Sequence, residues 1–200
     1  LEKVPKGEPW FIQVNFAGPH EPMDVTKTMY EAGRDLKFPP LDDGNATDAS
    51  KRRNYGLMIR NIDRWLGIYL DEVRKRGELG NTIIVFSSDH GELLGEHGYY
   101  GKKSPLHPSV CVPLVISGPG IRENIECPEP AETLDLADTF LDYAGIRTPE
   151  DMDSKSMRKF LEGREKYQRT FARSAFEGWS LVFVGRYKLI TGKLAGKIGK

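Results

Sequence analysis

An aspartate and a histidine, Asp89 and His90, stand side by side directly after a short apolar run. The run, residues 83–86, is uninterrupted, which predicts a strand buried on both faces, as in a parallel sheet covered by helices. In such sheets ligands bind just beyond the carboxyl ends of the strands, and Gly91 allows the chain to turn away there. A carboxylate and an imidazole at this point predict a metal or catalytic site. The alternative is a capping aspartate beside a surface histidine.

A second histidine follows a second predicted strand, residues 10–17. His20 lies in a turn between Pro19 and Pro22, which restrict the backbone around it. At the end of a strand in the same sheet, its imidazole would meet Asp89 across a crevice. There it could protonate a leaving group or hydrogen-bond to an anion. The alternative is an ordinary turn histidine.

The loop that leaves the Asp-His pair, residues 95–103, is punctuated by glycines and ends in two lysines. Lys102 or Lys103 could fold back and neutralise an anionic substrate; the alternative is a pair of solvated loop lysines. His97 either shapes this loop or lines the pocket, and His107 is a weaker candidate for a functional role.

A long amphipathic helix precedes the strand at residues 83–86. Apolar residues recur at three- and four-residue steps over residues 51–76 and form one stripe. Lys75 and Arg76 fall in the last turn, where the helix dipole favours cations. The order strand, helix, strand predicts a crossover with parallel pairing.

A third strand is predicted at 112–117 and a second amphipathic helix at 133–144. Residues 179–190 have the pattern of a β-hairpin. We therefore predict an α/β fold with a mostly parallel sheet flanked by helices over residues 1–148. A small C-terminal α+β subdomain with an antiparallel hairpin is predicted over 149–200.

Composition excludes some functional classes. The 29 basic and 29 acidic residues balance to a net charge of zero, which disfavours a dedicated nucleic-acid binder. No apolar stretch is long enough to span a membrane, and the first residues show no signal-peptide pattern. Cys111 and Cys127 fit no zinc motif, and the position of Cys111 beside a predicted strand predicts a small core residue.

Taken together, these motifs resemble the sulfatase family of the alkaline phosphatase-like superfamily. The matching segments are residues 18–22 and 55–64, then the Ser-Asp-His-Gly-Glu block with its continuation over 87–98. Lys102 follows at the family's spacing, and residues 112–120 follow in turn. Fainter similarity continues through residues 135–139, 144–146 and 186–190. The resemblance thus covers nearly the whole chain.

The resemblance implies a role for each matching residue. Asp89 and His90 match half of a site for a divalent metal, most often Ca²⁺, with Mg²⁺ or Mn²⁺ as alternatives. His20 matches the histidine that contacts the sulfate and its leaving oxygen, and Lys102 matches the lysine that binds the sulfate. Lys103 is the alternative if the loop register is shifted by one. A cation and a lysine stabilise charge on the transferring group, and a histidine can protonate the departing alkoxide.

The chain also departs from the family pattern. The family's nucleophile is a formylglycine made from Cys or Ser in a Cys/Ser-x-Pro-x-Arg motif, which neither Cys111 nor Cys127 fits. The early Asp-Asp pair of metal ligands has no match, because Asp42 and Asp43 follow His20 in the wrong order. We therefore expect a C-terminal portion of a longer sulfatase, with the nucleophile upstream. The chain alone should be inactive and should bind metal weakly.

Two other functions are compatible with these residues. One is a metal-dependent phosphatase or phosphonate hydrolase of the same superfamily, and the other is a non-catalytic binding module that kept the fold. The expected partners are a sulfated small molecule or glycan and the missing N-terminal segment of the same protein. Specificity should depend on the polar excursion over residues 23–50, which does not reveal which sulfate ester is used. By resemblance the protein would be periplasmic, secreted or lysosomal.

Overall fold

The computed structural model describes residues 3–38 and 49–192. Asp42, Asp43 and part of the predicted excursion over 23–50 lie outside the described residues. The chain divides into two compact units. The first comprises Leu1–Thr82 with Leu94–Tyr99, and the second comprises Ile83–Leu93 with Tyr100–Lys200.

The described elements are five α-helices, five strands and two short 3₁₀ turns. The helices are α1 (Lys27–Ala32), α2 (Ala49–Lys75), α3 (His107–Val110), α4 (Asp135–Tyr143) and α5 (Arg158–Leu161). The strands are β1 (Ile84–Ser87), β2 (Leu114–Ser117), β3 (Ala172–Phe176), β4 (Trp179–Phe183) and β5 (Lys188–Gly192), and the 3₁₀ turns span Leu79–Asn81 and Glu96–Gly98. Within the described ranges, no helix combines the length and the apolarity needed to cross a bilayer.

In the first unit, α2 is the main packing element, and its predicted extent is confirmed. Leu57 on α2 is 1% exposed. The C-terminal end of α1 packs directly on this side chain, because a Cβ at Gly33 would lie 1.9 Å from a Leu57 methyl carbon. Asn54 of α2 donates a hydrogen bond of 3.0 Å to the carbonyl oxygen of Met23. The chain that follows the His20 turn is thus fixed on α2.

The strand predicted over residues 10–17 is absent from the described structure, and the prediction is wrong for this chain. The segment has no strand partner among the described residues, so its backbone cannot form a ladder. Its apolar side chains remain in solvent: Phe11 is 68% exposed and Val14 is 45% exposed. Side-chain contacts hold the segment in place, as the indole of Trp10 donates to Glu78 at 3.0 Å.

In the second unit, β1 and β2 pair antiparallel, with Ile84 opposite Ser117 and Ser87 opposite Leu114. The predicted parallel sheet is therefore not confirmed. The chain reverses direction after β1 and returns through α3, which makes the pair antiparallel. The prediction of burial on both faces is also wrong, since Phe86 of β1 is 38% exposed.

The rest of this unit contains α4, α5 and a three-stranded antiparallel sheet in the order β3-β4-β5. The predicted hairpin corresponds to β4 and β5, whereas β3 was not predicted. Met157, Leu161 and Tyr167 form a buried cluster, and Leu114 and Ile116 of β2 pack against it. The predicted boundary after residue 148 remains a prediction.

A buried ion pair stabilises this unit. Asp135 is fully buried and Arg169 is 4% exposed. The Arg169 guanidinium donates through Nε to Asp135 Oδ2 at 2.7 Å and through Nη2 to Oδ1. Asp135 also accepts from the Tyr167 hydroxyl and from the backbone N–H groups of Glu132 and Lys155, at 3.0 and 2.9 Å for the two amides. The carboxylate is therefore saturated with donors.

The donors decide the protonation state of Asp135. Burial raises the pKa of this carboxyl, but the hydrogen bonds from Arg169, Tyr167 and the two backbone amides together outweigh burial. The pKa of Asp135 therefore lies below its ordinary value of 3.8. Burial and the bond to Asp135 raise the pKa of the Tyr167 hydroxyl, which remains a donor at neutral pH.

Candidate functional site

The Asp89–His90 pair lies directly after β1, as predicted from the apolar run. The Asp89 side chain is 86% exposed and that of His90 is 31% exposed. Asp89 Oδ1 accepts from the backbone N–H of His90 at 3.0 Å, and Asp89 Oδ2 lies 3.6 Å from His90 Nε2. A carboxylate oxygen and a ring nitrogen thus face each other at the accessible end of the strand.

The contacts of the His90 ring determine which nitrogen can bind a metal. His90 Nδ1 lies 2.8 Å from the carbonyl oxygen of Gly91, and a carbonyl only accepts, so Nδ1 carries the proton. Nε2 then keeps its lone pair and faces the Asp89 carboxylate. Metal-binding histidines commonly donate their other ring N–H to a backbone carbonyl in this way, because the bond fixes the ring and its tautomer.

The donor set fits part of a metal site. Across residues 3–38 and 49–192, no group of three or more His, Cys, Asp or Glu side chains is placed to hold a metal ion. Asp89 and His90 supply one carboxylate and one imidazole, whereas Ca²⁺ takes about six to eight oxygen ligands. The pair can therefore serve as part of a coordination shell that other ligands complete.

The turn after His90 is held by close backbone packing. The N–H of Gly91 donates to the carbonyl oxygen of Ser109 at 2.8 Å. A Cβ at Gly91 would lie 2.0 Å from the carbonyl oxygen of Pro108, so only glycine allows this approach. The backbone at the Asp-His turn is consequently fixed against α3.

Lys102 lies in the same compact unit as Asp89 and His90, and hydrogen bonds flank it on both sides. The N–H of Gly101 donates to Glu92 Oε1 at 2.6 Å. The carbonyl oxygen of Lys102 accepts from the Ser109 hydroxyl. The chain segment carrying Lys102 is thereby tied to the segment that follows the Asp89–His90 pair.

Contacts with the C-terminal sheet hold the same loop from the other side. Lys103 Nζ lies 5.6 Å from the ring centroid of Phe176 on β3, within cation–π range. Lys188 on β5 donates to the carbonyl oxygen of Pro105 at 3.2 Å. Lys103 therefore contacts the ring of a strand residue, which ties this part of the loop to β3.

His20 lies in the first unit, with its side chain exposed. Its Nδ1 lies 2.7 Å from the carbonyl oxygen of Glu21, whose carboxylate pairs with Lys51 of α2 at 3.3 Å. As with His90, a proton on Nδ1 leaves Nε2 as the reactive nitrogen. The predicted meeting of His20 with Asp89 stays a prediction.

His97 also lies in the first unit, at the centre of the Glu96–Gly98 turn, with a left-handed φ of 55°. Arg52 of α2 supports this turn through an ion pair of 3.5 Å with Glu96 and a hydrogen bond of 3.2 Å to the carbonyl oxygen of Leu94. A left-handed non-glycine residue is strained and persists only where its surroundings enforce it. The turn thus fixes the His97 backbone, and both of its predicted roles, shaping the loop and contacting the substrate, stay predictions.

The sequence did not reveal Glu92 and Ser109 as parts of the site. Ser109 is 2% exposed, and its partners Gly91 and Lys102 are known only once the fold brings the three segments together. Cys111 was predicted to be a core residue, and that prediction is wrong. Its thiol, next to the C-terminus of α3, is exposed, and Cys111 and Cys127 are both free cysteines.

Comparisons with known proteins identify the family. The sulfatase family model matches residues 1–146. The arylsulfatase of Clostridium perfringens is 29% identical over 199 residues, which cover 86% of this chain and 41% of that protein. The N-acetylglucosamine-6-O-sulfatase of Bacteroides thetaiotaomicron is 34% identical over 125 residues, covering 62% of this chain and 22% of that protein. The chain thus spans less than half the length of these relatives.

Solved structures agree on the fold. A protein in complex with its substrate D-glucosamine-2-N,6-O-disulfate superposes with a TM-score of 0.59 at 28% identity, over 74% of this chain and 34% of that one. A phosphonate monoester hydrolase from Silicibacter pomeroyi superposes with a TM-score of 0.60 at 23% identity, over 72% of this chain and 35% of that one. The family model covers most of the chain, and the relatives and solved structures agree with it. The chain belongs to the sulfatase family, within the alkaline phosphatase-like superfamily.

Proposed function

We propose that this chain is part of a sulfuric ester hydrolase and supplies half of its active site. The observation that carries the proposal is that Glu92 and Ser109 connect the chain following the Asp89–His90 pair to the Lys102 segment by hydrogen bonds, within one unit of a sulfatase-family chain. In this proposal the Asp89–His90 pair supplies metal ligands and Lys102 supplies the cation that binds the anion, and the hydrogen bonds between their segments support a shared role.

Each residue has a defined task in this proposal. Asp89 and His90 Nε2 contribute ligands to a divalent cation, for which we propose Ca²⁺, and the cation would neutralise charge on the sulfate group. Lys102 binds the sulfate oxygens and stabilises the charge that develops on them. His20, when both ring nitrogens are protonated, donates the Nε2 proton to the departing oxygen, and His97 contacts the part of the substrate next to the sulfate.

Two of the similar proteins support a proposal for the substrate class. One relative is named as an N-acetylglucosamine-6-O-sulfatase, and one solved neighbour holds a disulfated glucosamine. We propose a sulfated sugar or another small sulfate ester as the substrate of the intact protein.

Exposed apolar side chains support the proposal that the chain is part of a longer protein. Phe11 in the first unit is 68% exposed, and Val115 on β2 in the second unit is 60% exposed. Single exposed apolar side chains are ordinary, but the run Phe11, Ile12, Val14 and Phe16, each 37–68% exposed, is typical of a surface that other protein covers. Further chain from the same protein would cover them and would carry the remaining metal ligands and the nucleophile, expected to be a formylglycine. The 200 residues alone would then be inactive.

A phosphonate or phosphate ester hydrolase is the second candidate, and the phosphonate monoester hydrolase neighbour favours it. A cation, a lysine and a histidine stabilise a transferring phosphoryl group by the same charge interactions. The residues described above therefore do not distinguish the two reactions, and an assay must.

The test uses the intact protein with its full natural sequence. Matched aryl sulfate, aryl phosphate and phosphonate monoester substrates are assayed with and without a Ca²⁺ chelator. We expect metal-dependent hydrolysis with the sulfate ester preferred. Preference for a phosphorus ester would establish the second candidate, and no hydrolysis of any ester would favour a non-catalytic module.

Site variants test the residue roles. Lys102→Ala should lower kcat/KM by about 10²- to 10³-fold, because it removes a charge that stabilises the transition state. Lys103→Ala is the matched control, since this lysine contacts Phe176, and its effect should stay within about twofold. His20→Ala should cost about 10²- to 10⁴-fold, most of all for substrates with poor leaving groups. Equal losses in the two lysine variants would refute the assignment of Lys102.

A further inference from the structure

Two side chains connect the metal-ligand turn to the segment that carries Lys102. Glu92 Oε1 accepts from the N–H of Gly101 at 2.6 Å, directly before Lys102. The Ser109 hydroxyl donates to the carbonyl oxygen of Lys102 itself. We refer to Glu92 and Ser109 together as the brace.

Ser109 alone bonds both to the residue after His90 and to Lys102. Its carbonyl oxygen accepts from the N–H of Gly91, the neighbour of His90, at 2.8 Å. Its hydroxyl bonds to Lys102, and the residue is 2% exposed, so water does not replace either bond easily. A second backbone bond, from Leu93 N–H to the carbonyl oxygen of Gly101 at 3.0 Å, runs beside them. The metal-ligand turn and the Lys102 segment therefore share one hydrogen-bonded frame.

We propose that the brace positions Lys102 relative to the metal ligands, so that Glu92 and Ser109 are positioning residues for sulfate binding. The inference rests on the function proposed above. A lysine side chain is long and flexible, so its ammonium group reaches a defined place only if the backbone that carries it is fixed. An active site accelerates a reaction by holding its groups in place, so a small displacement of a binding group lowers the reaction rate strongly.

The test compares four variants of the intact protein. Ser109→Ala and Glu92→Ala each remove one brace contact, and Glu92→Gln keeps an oxygen that can accept from Gly101. Ser104→Ala is the control, because the Ser104 hydroxyl lies in the same loop but accepts from Leu106 N–H at 3.2 Å. Three quantities are measured: the kinetic constants, the affinity for Ca²⁺, and the hydrogen-exchange rates of residues 99–106.

We expect Ser109→Ala and Glu92→Ala to raise KM by about 3- to 10-fold, which corresponds to the loss of one hydrogen bond. Exchange over residues 99–106 should become faster in both variants. Glu92→Gln should remain near the wild-type values. The Ca²⁺ affinity of Ser109→Ala should change by less than about twofold, because its backbone bond to Gly91 remains.

Other results would overturn the proposal. One is an unchanged KM in both alanine variants. Another is an increase in KM for Ser104→Ala as large as that for Ser109→Ala. The third is a loss of Ca²⁺ affinity as large as the increase in KM. If Ser109→Ala does not fold, the comparison of Glu92→Ala with Glu92→Gln decides. If the wild-type protein hydrolyses no sulfate ester, the proposed function fails, and the exchange rates alone decide whether the brace holds the Lys102 segment.

Discussion

Replacement of Arg169 by methionine should strongly destabilise the second unit. Methionine keeps much of the side-chain volume but removes the cation next to Asp135, which is fully buried. Removing one partner of a buried ion pair costs about 3–5 kcal/mol. The Tyr167 hydroxyl and two backbone amides still donate to Asp135, so we expect the lower end of this range. A further loss comes from the 3.2 Å contact between Arg169 and Glu132.

Native-state hydrogen exchange of α4 and β4 in the intact protein measures this loss. A change of about 3 kcal/mol in the free energy of opening accelerates exchange by about 150-fold. Arg147→Met is the control, because Arg147 and its partner Glu150 are both 84% exposed, and we expect a change below about 0.5 kcal/mol. A loss below about 1 kcal/mol for Arg169→Met, or a loss equal to that of the control, would refute the reasoning.

Two further predictions concern pH and packing. The pKa of Asp135 lies below its ordinary value of 3.8, so folding favours the charged carboxylate. The contribution of this carboxylate to the free energy of unfolding is fully present above pH 3.8 and is lost as the pH falls through the folded-state pKa. The stability difference between wild type and Arg169→Met should therefore shrink as the pH is lowered below about 4 in urea titrations, and a constant difference would contradict this. Gly91→Ala should cost about 1–3 kcal/mol, because its Cβ would lie 2.0 Å from the Pro108 carbonyl oxygen. The control Gly67→Ala, in α2 with no atom within 4 Å of the new Cβ, should stabilise by about 0.5–1 kcal/mol in the same thermal unfolding experiment.

Local patterns predicted local structure well. The apolar stripe over residues 51–76 predicted α2 almost to its ends, and the apolar runs predicted β1 and β2. These signals lie within each segment, so the sequence reveals them directly. The weak pattern of Ala172–Phe176 explains why β3 was not predicted: its residues alternate incompletely, and its pairing with β4 fixes it as a strand.

Pairing was the part that could not be predicted. A strand's own residues do not specify its neighbour, so the parallel sheet was inferred from element order and is not confirmed. Residues 10–17 have strand character but no strand partner among the described residues, and most of their apolar side chains are exposed. The same limit applies to the site. Asp89 and His90 were found because they follow their strand directly, whereas Ser109 acts through residues distant in sequence.

The contacts of the Lys102 loop with β3 and β5 determine when during synthesis of the chain this loop can reach its final structure. Lys188 lies 83 positions after Pro105, whose carbonyl oxygen it binds, and Phe176 lies far beyond Lys103. A ribosome makes the loop long before either contact partner exists. The loop therefore gains its final support only when the chain is made through β5, and a protein truncated before Lys188 would present Lys102 on a loop that lacks this support.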